Sequence, residues 1–436
     1  MAAREVPLRA RRPAVTDGSD FRRREGRLRP PFFFEPSHGY TTVMHSLRKD
    51  FSTQALAQGF LVSLVGYASS VAIVIQGLAA MGASVGQIAS GLVALGIGKG
   101  ITAIALSWIL RMPISIAWTT PGLALLATTG AVAGGFPAAV GAFIVVGVLI
   151  MIAGLWSPLG RLVAAIPKPI ASAMLAGILL KLCLAPFVAI GTVPWLAALV
   201  LVTWLLMSRF ARFYAVPAAV LVALIGMAAD GPFAGLSLAD LTPRLEFVTP
   251  VFTWEAMVSI AVPLFIVTMA GQNLPGLTVL STYDYHPRVA PLLLSTGAAS
   301  VLAAPFGSPT INLAAITAAL AAGPDAHPDR DRRYIAGIVS GMGYMLLIAL
   351  AGVAAVLVTR SPPILIEAVA GLALIGAFGG AILNAVKEES ARLQALTTFL
   401  VTASGLSIFG IGSAFWGLIL GLLVHLLFQP RASGVS

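Results

Sequence analysis

Fourteen apolar segments follow one another along the chain, and they restrict what it can fold into. Most are close to the roughly 20 residues that a helix needs to cross the hydrocarbon core of a bilayer. Only 10% of the residues are charged, against about 25% in a soluble domain. The pattern predicts an all-α polytopic membrane protein with these segments as its spans. The segments are 53–80, 87–110, 113–133, 136–156, 169–184, 194–207, 214–229, 255–274, 290–304, 304–320, 334–359, 364–386, 393–409 and 413–428.

Basic residues indicate how the spans are oriented. Residues 1–50 hold ten Arg and one Lys against six acids and have no signal-peptide pattern. We expect them to be a disordered cytoplasmic tail near anionic lipid, because no nucleic-acid-binding fold accompanies them. If the tail is cytoplasmic and the spans alternate, only Arg244 and Arg360 of the 27 basic residues lie outside. The positive-inside rule therefore predicts cytoplasmic positions for both termini.

Two halves of seven spans must point in opposite directions, because seven is odd. We therefore predict two inverted repeats, residues 51–230 and 255–430, joined by an outer loop over 231–254. The third span of each half contains a hydroxyl residue followed by proline, Thr120-Pro121-Gly122 and Ser308-Pro309-Thr310. Interrupted helices at matching positions are the best sequence indication of a transporter site. The alternative is two proline kinks packed against neighbouring helices.

The interrupted spans suggest the chemistry of the ligand. Ser308 before Pro309 has the order of an N-cap and a first helical position, so a helix is predicted to begin at Pro309. A helix N-terminus has free N–H donors and a partial positive charge. Two such ends at one cavity favour an anion such as a carboxylate, and neither break contains Asp or Glu.

The candidate substrate-binding residues are polar, aromatic or at the two breaks, and most also have a structural interpretation. Gln272 and Asn273 either line a site or form hydrogen bonds between helices. Tyr67 either stacks on the ring of a substrate or packs against neighbouring side chains. Lys99, in the middle of a span, has a charge or proton role or extends its amine to the interface. The candidates are Tyr67, Ser69, Thr119, Thr120, Pro121, Gly122, Gln272, Asn273, Ser308, Pro309, Thr310 and Asn312, with Lys99 for charge or proton transfer.

Enzymatic and cofactor motifs are missing from the sequence. It contains no HExxH, P-loop or nucleophile–base pair, the five His are scattered, and Cys183 is the single cysteine. We therefore expect no enzyme activity, no cofactor, no metal and no intramolecular disulfide.

Six stretches of the sequence carry a family resemblance. Together they are specific, although each alone is weak, and the resemblance spans roughly residues 51–430. The chain resembles the BenE family of bacterial benzoate/proton symporters. The stretches are LVGYASSVAI, AWTTPGLALL, SAMLAGILLK, VPLFIVTMAGQNLPG, PFGSPTINLAAITAAL and FLVTASGLSIFGIGSAFWGLI.

The resemblance implies a fold like that of the uracil and anion transporters. Spans 1–4 and 8–11 would form a core domain, and spans 5–7 and 12–14 a gate domain. Spans 3 and 10 would each be a short extended stretch followed by a half-helix, with substrate between them. It further implies an inner-membrane location, an elevator-like shift of the core against the gate, and homodimers that contact through the gate.

One difference from the nucleobase branch of that fold concerns charge. That branch places acidic residues in spans 8 and 10, where this sequence has Gln272-Asn273 and Pro309–Asn312. A buried acidic residue would repel a carboxylate ligand, so the lack of acidic residues in these spans favours a carboxylate. The same lack leaves the proton carrier unidentified. The prediction is import of benzoate or a related aromatic carboxylate with a proton. The alternatives are a uniporter, exchanger or channel for another anion, and a membrane-embedded enzyme or receptor.

Overall fold

The computed structural model describes residues 50–428, apart from 69, 157, 160, 162–164, 212–213, 230–241, 243, 316, 360 and 410. The predicted tail over residues 1–49, the candidate residue Ser69 and residues 231–241 of the predicted outer loop therefore lie outside the described part.

Helices make up most of the described chain, and two three-residue strands interrupt them. In the first half the elements are α1 Thr53–Ala68, α2 Val71–Ala80, α3 Val85–Leu110, β1 Ile116–Trp118, α4 Thr120–Thr129, α5 Gly135–Leu155, α6 Lys168–Thr192, α7 Pro194–Phe210 and α8 Ala215–Ala229. In the second half they are α9 Trp254–Thr282, α10 Val289–Ala303, β2 Ile311–Leu313, α11 Ala318–Ala322, α12 Tyr334–Leu347, α13 Ala351–Thr359, α14 Pro363–Val386, α15 Arg392–Ala403 and α16 Ser413–Phe428.

Length and hydropathy place the protein in a membrane. In the described residues, eight helical stretches are long and apolar enough to cross a bilayer, and α7, α8 and α16 are shorter apolar helices. The predicted class, a mostly helical polytopic membrane protein, is confirmed. Several helices are longer than predicted; α6, for example, continues to Thr192 through an internal proline, Pro186.

Helix α9 contains two turns of π-helix, Met257–Ala261 and Met269–Asn273. A π turn adds a residue to a helical turn and is frequent at functional sites. The second π turn contains Gln272 and Asn273, and both side chains accept backbone N–H groups from β2 or the residues just after it.

Strands β1 and β2 pair in antiparallel orientation, with Ala117 opposite Asn312. In hydrocarbon, every backbone N–H and C=O must find a partner within the protein. The strand pair supplies partners where the helices stop. Ser300 on α10 adds two more bonds, since its Oγ accepts from the N–H of Ile311 (2.8 Å) and donates to the carbonyl oxygen of Ile311 (3.1 Å).

The prediction that a helix begins at Pro309 is wrong. Ala304–Phe306 form a 3-10 turn, Gly307 adopts a left-handed conformation (φ +84°), and β2 follows. The next helix, α11, begins only at Ala318. Ser308 caps no helix, because its Oγ donates to the carbonyl oxygen of Pro309. The backbone groups of β2 find their hydrogen-bond partners in β1 and in the Ser300 hydroxyl. A helix over these residues would lose those bonds.

Polar contacts tie loops together at both ends of α3. At its C-terminal end, Arg111 and Tyr334 both bond to the carboxylate of Asp50. At its N-terminal end, the Ser90 hydroxyl accepts from the N–H of Glu246 (2.8 Å) and donates to the carbonyl oxygen of Phe306 (2.9 Å). With 26 residues, α3 is about 39 Å long, so the two groups lie far apart.

Helices α6 and α14 pack against each other, and Gly371 on α14 sits at their contact. A Cβ added at Gly371 would overlap the carbonyl oxygen of Leu182 on α6. We expect Gly371→Ala to force the helices apart and to lower the free energy of unfolding by about 1–3 kcal/mol. Thermal unfolding of the purified protein in detergent measures this.

Gly376→Ala on the same helix is the matched control. A Cβ at Gly376 meets nothing within 4 Å, and alanine is the better helix former. An equal loss of stability in both variants would contradict close packing at Gly371.

Candidate functional site

A cavity lies beside the strand pair, where α1, α3, α9 and α12 meet it. Its volume is about 60 Å³, enough for roughly four water molecules. We call it the Lys99 cavity. It is lined by Val65, Gly66, Ser70, Lys99, Ala117, Trp118, Thr120, Gln272, Ala314, Ala315, Thr317 and Tyr344.

Lys99 is the charged residue of this lining. It lies in the middle of α3 and is 1% exposed, so its amine does not reach the membrane surface. Its Nζ is 3.6 Å from the ring centroid of Trp118 and 3.5 Å from that of Tyr344. Among the described residues, no Asp or Glu forms a salt bridge with it.

When Lys99 is protonated, the two rings compensate only part of the cost of burying the ammonium. A desolvated cation–π contact contributes about 2 kcal/mol, whereas removing an ion from water costs several kcal/mol even after relaxation. A carboxylate or another anion in the cavity would supply the missing countercharge. The site is therefore suited to an anion.

Trp118 is held in place by a short chain of hydrogen bonds. Its Nε1–H donates to the Ser70 Oγ (2.8 Å), which in turn donates to the carbonyl oxygen of Gly66 (2.7 Å). The Tyr67 ring packs edge-on against it, with centroids 6.0 Å apart. The Tyr67 hydroxyl is buried without a hydrogen-bond partner. Trp118, which contacts Lys99, thus also contacts the ring of Tyr67.

The two amides of α9 have different positions. Gln272 lines the cavity, and its Oε1 accepts the N–H of Ala315 (3.2 Å). Asn273 is fully buried; its Oδ1 accepts the N–H of Leu313 (3.0 Å), and its Nδ2 donates to the Met269 sulfur. Asn273 thus supports the strand pair, while Gln272 both supports it and faces the cavity.

Hydroxyl groups join the elements around the strand pair. The Ser115 and Thr317 hydroxyls are 3.1 Å apart, and those of Thr268 and Thr310 are 3.5 Å apart. Thr119 caps α4 by accepting the N–H of Gly122 (3.1 Å). This cap leaves the neighbouring residue Thr120 in the cavity lining.

Of the candidate residues, the structure brings Lys99, Thr120 and Gln272 together in the cavity lining. Tyr67 reaches the cavity through its contact with Trp118. The others lie behind the lining: Thr119 and Gly122 in the cap of α4, Pro121 in its first turn, Asn273 and Thr310 in contacts between elements, and Ser308, Pro309 and Asn312 in or before β2. The Asn312 Oδ1 is buried without a partner.

Nine lining residues were not among the candidates, and four of these nine have polar or aromatic side chains: Ser70, Trp118, Thr317 and Tyr344. Trp118 directly precedes the Thr119-Thr120-Pro121 break, so its position was a usable signal. Tyr344 lies on α12, more than two hundred residues from Lys99. Only the packing of α12 against α3 brings them together.

Comparison with known proteins identifies the family. A family model described as "BenE: Benzoate membrane transport protein" matches residues 49–427. The chain belongs to the BenE family. It is 39% identical over 374 residues to the inner membrane protein YdcO of Escherichia coli, covering 86% of this chain and 95% of YdcO. It is 36% identical over 402 residues to the benzoate membrane transport protein of Acinetobacter baylyi, covering 90% of this chain and 100% of that protein.

Solved structures share the fold of this BenE protein. The transmembrane domain of the cyanobacterial bicarbonate transporter BicA matches with a TM-score of 0.52 and 19% identity, covering 86% of this chain and 96% of that one. SLC26A9 matches with a TM-score of 0.58 and 12% identity, covering 88% and 67%. The resemblance to BenE is thus confirmed. The family and the A. baylyi relative are named as membrane transport proteins, which agrees with the predicted absence of enzyme activity.

Asn273 provides a test of the contact between α9 and β2. Asn273→Leu removes the acceptor for the buried N–H of Leu313, and an unsatisfied buried donor costs about 1–3 kcal/mol. We expect a matching decrease in the free energy of unfolding, measured by thermal unfolding in detergent. Thr278→Val on the exposed part of the same helix is the control, and an equal effect in both would contradict this role.

Proposed function

We propose that the protein imports benzoate or a related aromatic carboxylate together with a proton across the bacterial inner membrane. The observation that carries the proposal is the buried Lys99, which has no carboxylate partner among the described residues and faces a cavity. The carboxylate pairs with Lys99, and Thr120 and Gln272 add polar contacts. The rings of Trp118 and Tyr344, whose faces contact Lys99, and the ring of Tyr67 against Trp118 provide apolar surface for the aromatic ring of the substrate. The names of the family and of the A. baylyi relative support benzoate as substrate.

The order of the elements supports two inverted repeats of seven spans, with spans 3 and 10 interrupted. In each half a helix leads into a strand and a shorter helix follows: α3, β1 and α4 in the first half, α10, β2 and α11 in the second. The antiparallel pairing of β1 with β2 is what an inverted relation requires. In this proposal, residues 51–230 and 255–430 are the repeats and both termini are cytoplasmic.

Helix packing supports a core and a gate. Helices α1 and α3 pack on α12 and α5 packs on α10, whereas α6 packs on α14, α15 and α16. Movement of the first group, which contains the Lys99 cavity, against the second would expose the cavity to each side in turn. Exposed apolar side chains along α7, including Trp195 and Phe210, are compatible with lipid or with a homodimer contact through the gate.

A second candidate function is a uniporter, exchanger or channel for a smaller organic or inorganic anion. The volume of the cavity favours it, since about 60 Å³ suits a small ligand unless the helices separate. The two functions differ in whether an aromatic ring strengthens binding and in whether a proton gradient drives uptake.

Uptake by the purified protein tests the proposal. We expect proteoliposomes to accumulate labelled benzoate under an inward proton gradient, and unlabelled benzoate to compete better than acetate or bicarbonate. Empty vesicles are the control, because neutral benzoic acid crosses lipid unaided. Uptake equal to that of empty vesicles, with folded protein, would refute the proposal; uptake that ignores the pH gradient would favour the second candidate.

Gln272 tests whether the ligand is an anion. Gln272→Glu keeps an acceptor for Ala315 but places a negative charge in the cavity. Repulsion at an effective dielectric constant of about 20 is several kcal/mol at contact distance, so we expect benzoate affinity at neutral pH to fall by about tenfold or more. Binding is measured on detergent-solubilised protein by calorimetry.

Gln87→Glu is the matched control for that substitution. Gln87 accepts the N–H of Ser84 in the capping box of α3, a bond that glutamate also makes, and it lies outside the Lys99 cavity. Unchanged affinity in Gln272→Glu would mean that the carboxylate does not bind near this side chain.

A further inference from the structure

The sequence offers no obvious proton carrier, and the structure narrows the search to the groups around the cavity. The titratable groups that line the cavity or contact its wall are Lys99 from α3, the Tyr344 phenol from α12 and the Tyr67 phenol from α1. The strand pair and α9 contribute an indole, amides and hydroxyls. Among the described lining residues there is no Asp, Glu, His or second cation.

We propose that Lys99 carries the transported proton, so that one residue both binds the carboxylate and couples its movement to the proton gradient. This inference rests on the proposed function, because it concerns the same site.

The charge balance of the cavity gives the physical reason. A lone charge inside a membrane protein is costly, and a charge paired with an opposite one is much less so. The cavity with bound carboxylate and Lys99 ammonium is neutral overall. The empty cavity is neutral when Lys99 is an uncharged amine. In either neutral form, the part of the protein that contains the cavity can move through the bilayer without moving net charge. A cavity that held only a carboxylate or only an ammonium would move a net charge.

The proton balance follows from these two forms. On the outer side, a proton from water binds the Nζ lone pair, and the resulting ammonium pairs with the incoming carboxylate. On the inner side, the carboxylate leaves and the ammonium returns its proton to water. One carboxylate and one proton cross in each cycle, and no other bond forms or breaks.

The aromatic contacts suit a lysine that changes its charge. The faces of Trp118 and Tyr344 stabilise the ammonium at 3.6 and 3.5 Å, but they offer no fixed negative charge that would keep it protonated in the empty cavity. An Asp or Glu in their place would form a permanent salt bridge. The close packing of α3 at Gly100, where a Cβ would overlap Met345 on α12, keeps α3 next to the helix that carries Tyr344.

Proton uptake on binding is the direct test. Benzoate is added to wild-type protein in weakly buffered detergent solution, over neutral to alkaline pH, and a pH-sensitive dye is monitored. We expect the dye to report up to one proton taken up per benzoate bound. Binding without proton uptake anywhere in this range would overturn the inference while leaving benzoate transport intact.

Lys99→Arg separates binding from coupling. A guanidinium remains charged in proteins, so we expect this variant to bind benzoate without proton uptake. It should exchange external for internal benzoate and lose accumulation driven by the proton gradient. Lys181→Arg, on an exposed part of α6, is the matched control and should behave like the wild type.

The outcomes distinguish this inference from the proposed function. Wild-type protein that neither exchanges nor accumulates benzoate refutes the proposed function. If the wild type transports benzoate and Lys99→Arg still accumulates it under the gradient, Lys99 is not the proton carrier. The proposed function is not affected by that result. If Lys99→Arg does not fold, the dye measurement on wild-type protein still tests whether benzoate binding takes up a proton.

Discussion

The pairing of β1 with β2 is the constraint on which the rest of the structure depends. Two helical spans stop inside an apolar chain, and hydrocarbon offers no partner for the backbone groups that they leave free. The strands satisfy part of this requirement through each other. Side chains from neighbouring helices satisfy more of it: Ser300 on α10, and Gln272 and Asn273 in a π turn of α9. These polar residues are therefore needed to stabilise the non-helical backbone of the interrupted span.

The same interruption creates the site. Because β1 ends at Trp118, the indole ring lies over Lys99 and the following cap of α4 leaves Thr120 at the cavity. Gln272 meets them from α9. A continuous helix would have directed these groups around its circumference and buried them against neighbours. A polar cavity in the middle of a membrane protein and an interrupted helix thus have one structural cause.

Membership of the BenE family and the geometry of the cavity lead to the same class of ligand by separate routes. The family model is described as a benzoate membrane transport protein, and the cavity combines a buried lysine with aromatic faces. The structural neighbours share the fold at 12–19% identity, so they support the architecture and do not define the ligand. In this chain a buried lysine, with no acidic partner among the described residues, lines the cavity.

Local sequence patterns predicted three of the residues that line the cavity. Thr120, Gln272 and Lys99 stood out because a hydroxyl before proline, an amide pair and a lone cation are unusual in apolar spans. The helix predicted at Pro309 was wrong because capping preferences describe an isolated helix end, whereas here pairing with a strand about two hundred residues earlier decided the backbone conformation. Tyr344 could not have been found by local reasoning, since an aromatic residue in an apolar span is ordinary until its partner is known.

The sequence by itself determined that the chain is a helical membrane protein, and it determined which residues have chemistry to offer. Hydropathy and charge are properties of each segment, and the bilayer acts on each segment separately. Only the tertiary structure decided which of those residues meet. It placed Asn273 against the strands and Gln272 at the cavity, although they are adjacent. It also placed Lys99 between the ring of Trp118 on β1 and that of Tyr344 on the distant helix α12. The physical reason is that contact depends on the packing of α3, α9, α12 and the strand pair, and no single segment contains that information.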